Sequence, residues 1–132
     1  MNRVVLALAV ASTVALSGAV GVGTANAQLP PPCGFTLSPP QVVQVSGADM
    51  VTVTVSPAQC FGPFRPSMSV ACVQQQGAGI QCSQARDAGV AQVYTPYQPG
   101  STYVSTGRGT AAFFSDMNEP NWQVLGPISA TL

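Results

Sequence analysis

The chain has 132 residues with only four basic and four acidic side chains, and it contains neither histidine nor lysine. Without histidine there is no Ser-His or Cys-His nucleophile pair and no histidine metal ligand, and without lysine there is no Ser-Lys dyad or Schiff base. A net charge near zero gives no electrostatic reason to bind nucleic acid or an anionic membrane. The composition therefore favours a binding protein over an enzyme.

The first 27 residues predict a cleaved signal peptide. A single positive charge at Arg3 precedes an apolar run over residues 4–22, and Ala25-Asn26-Ala27 is a small-x-small cleavage site. A membrane-spanning helix is the alternative, since the apolar length nearly permits it, but serine, threonine and glycine dilute the run. Cleavage after residue 27 leaves 105 residues, enough for one domain. We expect a secreted protein, extracellular or in the cell envelope, with no membrane attachment after cleavage.

Residues 28–34 contain three consecutive prolines and predict an extended lead-in to a single domain over residues 35–132. Alternating apolar and polar residues between Gly and Pro turns then indicate short strands. The alternation is clearest at 51–55, where three valines point one way and two threonines the other. Residues 83–89 are predicted to be a polar turn. The strand candidates cover 35–37, 41–45, 51–55, the two arms of the segment 68–82, 90–94, 103–106, 110–114, 122–125 and 128–132.

The segment from Cys72 to Cys82 predicts a stapled hairpin. The two cysteines lie at equal distances from Gly77, so a turn there brings them together across an antiparallel pair. A loop of this length is worth about 3 kcal/mol in the chain-entropy model. Four cysteines in an exported chain of this size are most simply two disulfides.

The second pairing follows from the first two strands. If they fold about Gly47 and Ala48, Cys33 arrives opposite residues near Cys60, which favours Cys33–Cys60 with Cys72–Cys82. A bond that crosses the core from Cys60 to Cys72 or Cys82 is the alternative. The cysteine spacings lack the closely paired ligands of structural zinc sites, so no metal is expected.

About eight short strands, with turns near every ten residues and no apolar helical periodicity in the mature chain, predict an all-β, two-sheet antiparallel sandwich. Asp116 and Glu119 are the only acidic pair close enough to be considered as catalytic carboxylates, and we favour a solvated loop for them. No catalytic residue and no cofactor are predicted.

Binding is the remaining class of function, and aromatic side chains on loops at the end of a rigid sandwich are its candidates. The alternative is that these rings cap the core or pack on prolines, and that the neighbouring arginine is a solubilising charge. The candidate ligand or partner residues are Phe61, Phe64, Arg65, Tyr94, Tyr97, Tyr103 and Trp122.

The hairpin from Cys72 to Cys82, with nine residues between its cysteines, and the preceding strand 51–55 resemble the neocarzinostatin and macromomycin group. The resemblance implies an immunoglobulin-like sandwich of seven strands in which the hairpin lies on the floor of a cleft for an apolar chromophore. That group has a second, tightly spaced cysteine pair late in the chain, which this sequence lacks, so only Cys72 and Cys82 are carried over, as framework residues. The Ala-rich signal and the Gln- and Pro-rich mature chain also look like exported actinobacterial proteins.

Two binding functions are therefore predicted, and a hydrolase that uses Asp116 and Glu119 is kept as a third hypothesis. The first is a monomeric, secreted, non-enzymatic carrier of an apolar small molecule, the ligand class that the resemblance implies. The second is an extracellular or cell-envelope protein that binds another protein or a wall glycan. A carrier should enclose its aromatic residues in a cleft around the hairpin, whereas an interaction protein should expose them in one patch.

Overall fold

The structure, a computed structural model, describes residues 31–113 and 116–132, and no side chains from 116 to 121. The predicted signal peptide and residues 28–30 of the predicted lead-in lie outside the described residues. Within them the chain forms eight strands and no helix, so none of the described ranges offers a helix that could cross a membrane. The strands are β1 (Cys33–Leu37), β2 (Gln41–Val45), β3 (Ala48–Cys60), β4 (Arg65–Gln75), β5 (Ile80–Arg86), β6 (Ala91–Pro96), β7 (Thr102–Phe113) and β8 (Asp116–Thr131).

The strands form two antiparallel sheets that pack face to face. In the small sheet, β1 and β2 pair with successive halves of one edge of β3, and β6 pairs with its other edge. The large sheet has the order β5-β4-β7-β8. The chain changes sheet between β3 and β4, between β5 and β6, and between β6 and β7. This arrangement confirms the predicted immunoglobulin-like antiparallel sandwich.

The break between β1 and β2 lies at Pro39 and Pro40, which cannot donate to a ladder and are tolerated because this strand is at a sheet edge. Ser38 continues the pairing across the break. Its amide N–H donates to the Thr54 carbonyl at 2.9 Å, and its hydroxyl accepts from the Thr54 amide N–H at 2.9 Å.

The core lies between the sheets, and the predicted alternation of β3 is confirmed. Val51, Val53 and Val55 are fully buried. Thr52, on the other face, is also only 5% exposed, and its hydroxyl donates to the Val93 carbonyl at 3.0 Å. The large sheet leaves no space for a side chain at Gly109, where a Cβ atom would overlap the Phe35 ring.

Both predicted disulfides are confirmed. Cys33 pairs with Cys60 across β1 and β3, and Cys72 pairs with Cys82 across β4 and β5. Each bond joins residues that are directly opposite in an antiparallel ladder, as the hairpin registers required. Two disulfides in one small domain indicate an oxidising environment.

Several strand boundaries differ from the prediction. β1 begins at Cys33, two residues before the expected domain start, because its register already holds the disulfide partner. Residues 83–86, predicted as a turn, continue β5 opposite β4. The pairs of short strands predicted at 103–114 and at 122–132 are the single strands β7 and β8. β8 passes Pro120 and Pro127 because it is an edge strand of the large sheet.

Candidate functional site

The seven predicted site residues do not come together, because they lie at opposite ends of the sandwich. β4 and β7 are antiparallel, with Gln75 opposite Tyr103 at one end and Arg65 opposite Ala112 at the other. We call the first the closed end, which comprises Tyr103 and the loop 97–101. We call the second the open end, which comprises the loop 61–64 and the ends of β4, β5 and β7 beside it.

At the closed end, Tyr103 is a structural residue and not a binding residue. Its side chain is fully buried. Its hydroxyl donates to the Pro96 carbonyl at 3.1 Å and accepts from the Gln98 amide N–H at 2.8 Å. This is the tyrosine corner typical of immunoglobulin-like sandwiches, in which a tyrosine near the start of a late strand ties down the preceding loop. No face of the ring is available to a ligand, which corrects the predicted role.

The other two tyrosines also lie away from the open end. Tyr97 is half-buried against the core, and its amide N–H donates to the Asp49 carbonyl at 3.2 Å. Tyr94 is 40% exposed on β6 of the small sheet, opposite Thr52. For Tyr97, the structure therefore agrees with the alternative prediction, in which the ring caps the core. Tyr94 stands alone on a different sheet from the remaining candidates.

The open end contains a half-open cavity of 470 Å³. Phe113 forms part of its wall, is 46% exposed, and stacks edge to face with Phe64 at a centroid distance of 5.3 Å. Phe61 is 62% exposed in the adjoining turn, which the Phe64 amide closes by donating to the Phe61 carbonyl at 3.2 Å. The cavity is lined by Pro63, Arg65, Pro66, Ser67, Met68, Arg86, Asp87, Ala112 and Phe113.

Strand register places this cavity on the outer face of the large sheet. Ala111 belongs to the core, so Ala112 and the residue opposite it, Arg65, point outwards. Met68 lies opposite Arg86 on β5 in the same sheet. The Asp87 amide N–H donates to the Ser67 carbonyl at 2.9 Å and closes one side of the rim. Apolar and cationic groups thus share one depression.

Trp122, the last predicted site residue, is on the same outer face, one strand beyond β7. It lies opposite Thr110 and is 39% exposed. The Arg108 guanidinium lies over its ring, 4.8 Å from the centroid, a cation–π contact. Neither residue lines the cavity. Trp122 and Arg108 therefore flank the open-end cavity without belonging to it.

The Cys72–Cys82 disulfide is not part of the cavity either. Cys72 lies four residues beyond Met68 along β4, about 13 Å at the rise of a strand. Cys82 is exposed on β5. The Cys72–Cys82 disulfide therefore holds the hairpin together at a distance from this cavity, and neither cysteine lines it.

The described residues favour binding chemistry at this site. The cavity offers two guanidinium groups and one carboxylate beside apolar walls, which are groups that can hold a ligand. Among residues 31–113 and 116–132, no three of the Cys, Asp and Glu side chains that the structure describes are grouped to hold a metal ion. The side chains of Asp116 and Glu119 lie outside the described residues, so that pair stays a prediction.

Comparison of the chain with models of known protein families, with curated proteins and with solved structures found no match.

Of the nine residues that line the cavity, sequence reasoning named only Arg65, and the residues it missed include Met68, Arg86 and Phe113. Arg86 was missed because β5 was ended too early. The register fixed by Cys72 and Cys82, counted outwards along the hairpin, would have brought Met68 opposite Arg86. Phe113 was recognised only as a strand residue, because nothing in the sequence indicates that the ladder ends there.

Proposed function

We propose that this chain is a secreted, monomeric, non-enzymatic binding protein that carries a small molecule with an apolar body in the open-end cavity. The cavity carries the proposal. Its volume of 470 Å³ is within the range of small-molecule sites, and its wall includes the half-exposed Phe113 ring. The signal-like N-terminus and the two disulfides support export to an oxidising compartment.

The carrier function is the one that the resemblance to the neocarzinostatin and macromomycin group implies, but the proposed site differs. In that group the ligand lies over the stapled hairpin, whereas here we place it at the opposite end of β4. The ends of three neighbouring strands, β4, β5 and β7, supply most of the lining, which supports a preformed site and a low entropy loss on binding.

The test is an NMR titration of the isotope-labelled, oxidised protein with 2-naphthalenemethanol, a neutral apolar probe. We expect saturable amide shifts at Met68, Arg86 and Phe113. Phe113→Ala should raise the dissociation constant about tenfold, which corresponds to about 1.4 kcal/mol of lost apolar contact. Val124→Ala is the matched control, because Val124 is 78% exposed on the same sheet and lies outside the cavity lining. Shifts spread over other surfaces, or no saturation, would contradict the proposal.

An interaction protein is the second candidate, and one observation favours it. Outside the cavity lining, the described residues of the large sheet include three exposed large apolar side chains: Ile80 at 54%, Trp122 at 39% and Val124 at 78%. An exposed tryptophan can stack on a sugar ring of a wall glycan. Co-sedimentation with insoluble peptidoglycan tests this function: Trp122→Ala should abolish it, and Phe113→Ala should leave it intact. Equal retention of both variants, or no co-sedimentation, would count against it.

A further inference from the structure

We infer that the Cys72–Cys82 disulfide is a site of thiol–disulfide exchange on the protein surface, which a dithiol reductant opens by attack on Cys82. The Cys33–Cys60 disulfide, in contrast, is a permanent structural bond. The reductant is a dithiol, either a small molecule or the active site of a dithiol oxidoreductase. This inference goes beyond the proposed small-molecule function and does not depend on the open-end cavity.

The two disulfides lie in opposite environments. The residues before and after Cys72 on β4 are fully buried in the core, so Cys72 points to the outer face of the large sheet, and its partner Cys82 is exposed. Cys33 belongs to the core cluster and is 1% exposed, and Cys60 packs against that cluster. A thiolate can therefore reach the first bond in the folded protein, but it reaches the second only after local opening of the structure.

The position of β5 determines which sulfur atom is open to attack. Cys72 and Cys82 are directly opposite each other, so their S–S bond crosses the ladder from β4 to β5. An attacking thiolate approaches in line with the S–S bond that it breaks. At Cys82 this line comes from beyond β5, which is an edge strand of the large sheet. At Cys72 it crosses β7, where Thr106 lies opposite. Cys82 is therefore the accessible sulfur.

The surroundings of the bond do not repel a thiolate. Strand register places five neighbours beside the pair on the outer face, and all of them are uncharged: Val70, Gln74, Ile80, Gln84 and Thr106. Asp87 lies five residues beyond Cys82, about 16 Å at the rise of a strand. The start of β8 pairs with Phe113, about 23 Å along β7 from Thr106.

The exchange has two balanced steps. One thiolate of the reductant attacks the Cys82 Sγ atom, a new S–S bond forms between them, and Cys72 leaves as a thiolate. The second thiol of the reductant loses its proton to solvent and attacks the reductant sulfur of this mixed disulfide, so that Cys82 also leaves as a thiolate. Both cysteines then take up protons from water. The dithiol is oxidised to a disulfide by loss of two electrons, which reduce the protein.

Reduction releases one edge strand and leaves the sandwich folded. Within the described sheet β5 pairs with β4 alone, and the disulfide is the covalent bond across that pair. β4 remains paired with β7 on its other side, and Cys33–Cys60 still joins β1 to β3. The Cys72–Cys82 bond is thus a redox-sensitive connection of β5 to the rest of the sheet.

The experiment follows both disulfides of the folded, oxidised protein in dithiothreitol. Samples are quenched with iodoacetamide at timed intervals, and mass spectrometry of peptides measures the alkylation of each cysteine. We expect Cys72–Cys82 to be reduced more than about tenfold faster than Cys33–Cys60. The same reaction in concentrated urea is the control, in which the two rates should converge because burial no longer protects the second bond.

Three further measurements sharpen the test. A protein dithiol of the thioredoxin class is bulkier than dithiothreitol and should discriminate more strongly between the two bonds, whereas reaction with dithiothreitol alone would assign the site to small dithiols. With the monothiol 2-mercaptoethanol and an acid quench, peptide mapping should find the mixed disulfide on Cys82. In a variant with both Cys72→Ser and Cys82→Ser, amide hydrogen exchange should be faster in β5 and unchanged in β3.

The outcomes that would overturn the inference are separate from those that test the cavity. Equal reduction rates of the two disulfides in the folded protein, or faster reduction of Cys33–Cys60, would remove the exchange site. A mixed disulfide found mainly on Cys72 would contradict attack from the sheet edge. Unchanged hydrogen exchange in β5 would show that the bond does not restrain that strand. None of these results changes the binding of 2-naphthalenemethanol, by which the proposed function is tested.

Discussion

The two ends of the sandwich both carry aromatic residues, tyrosines at the closed end and phenylalanines at the open end, in different environments. At the closed end, the Tyr103 ring is fully buried and both hydrogen-bonding functions of its hydroxyl are satisfied. At the open end, Phe113 packs on Phe64 by one edge and leaves 46% of its surface exposed beside a cavity. The difference shows that an aromatic residue near a loop can contribute to a binding site only where the fold leaves the face of its ring exposed.

Main-chain contacts explain why one end closes and the other does not. At the closed end the chain terminus folds over the loop: the Gly100 amide N–H donates to the Leu132 carbonyl at 2.6 Å, and the Leu132 amide N–H donates to the Ser101 carbonyl at 3.1 Å. At the open end, prolines in the 61–66 segment and the bulge between Pro66 and Met68 interrupt the pairing of β4. Pro63 and Pro66 cannot donate hydrogen bonds, and both line the cavity.

The largest expected effects are losses of stability on removing each of the two disulfides. Replacing Cys33 and Cys60 with alanine should lower the free energy of unfolding by about 4 kcal/mol, and replacing Cys72 and Cys82 by about 3 kcal/mol. The first bond closes the longer loop, 27 residues apart against 10, and Cys33 is 1% exposed, whereas Cys82 is exposed. Urea denaturation of both variants without reductant measures the difference.

The same two disulfide variants also test which part of the sandwich binds the ligand. The Cys33–Cys60 bond ends directly before Phe61, so its loss should weaken binding of 2-naphthalenemethanol by loosening the loop 61–64. The loss of Cys72–Cys82, farther along β4, should leave that affinity unchanged. A larger stability loss for the hairpin disulfide would contradict the loop-length argument, and a loss of binding only in that variant would overturn our assignment of the site to the open end.

The next effect concerns the closed end. Tyr103→Phe removes one oxygen atom and should cost about 2 kcal/mol, because the Gln98 amide and the Pro96 carbonyl each lose a partner. Tyr94→Phe is the matched control: Tyr94 is 40% exposed, and the change should stay within about 0.5 kcal/mol. Chemical denaturation measures both. Equal effects of the two substitutions would show that the tyrosine corner contributes nothing to stability.

Most of the fold could be predicted from the sequence because its determinants are local. The valine alternation at 51–55, the symmetric spacing of Cys72 and Cys82 about Gly77, and the turn at Gly47 fix strands and registers without knowledge of distant contacts. The lengths of β7 and β8 could not be predicted in the same way. Gly107 and Gly109 look like turn residues, and only the facing side chains Val55 and Phe35 explain why they lie inside a strand.

The candidate site was less predictable because exposure is a tertiary property. Phe61, Phe64 and Arg65 were placed on a loop that does border the cavity. Tyr103 was also predicted as a binding residue. Its burial could not be predicted, because it depends on the position of the loop whose Pro96 and Gln98 main-chain groups bind its hydroxyl. Arg86 was omitted because its partner Met68 comes from the other arm of the hairpin. Residue type identifies candidate site residues, whereas strand register determines which of them lie close together in space.

The smallest effect concerns Phe113 at the open end. Phe113→Ala removes an entire ring, yet it should cost only about 1 kcal/mol, less than the single oxygen of Tyr103, because the ring is half-exposed and its edge contact with Phe64 is worth about 0.5–1.5 kcal/mol. A double-mutant cycle with Phe64→Leu in urea isolates that contact. A loss above about 3 kcal/mol would mean that Phe113 belongs to the core. A stability loss near 1 kcal/mol together with tenfold weaker probe binding would mean that the Phe113 ring contributes mainly to ligand binding and little to the stability of the fold.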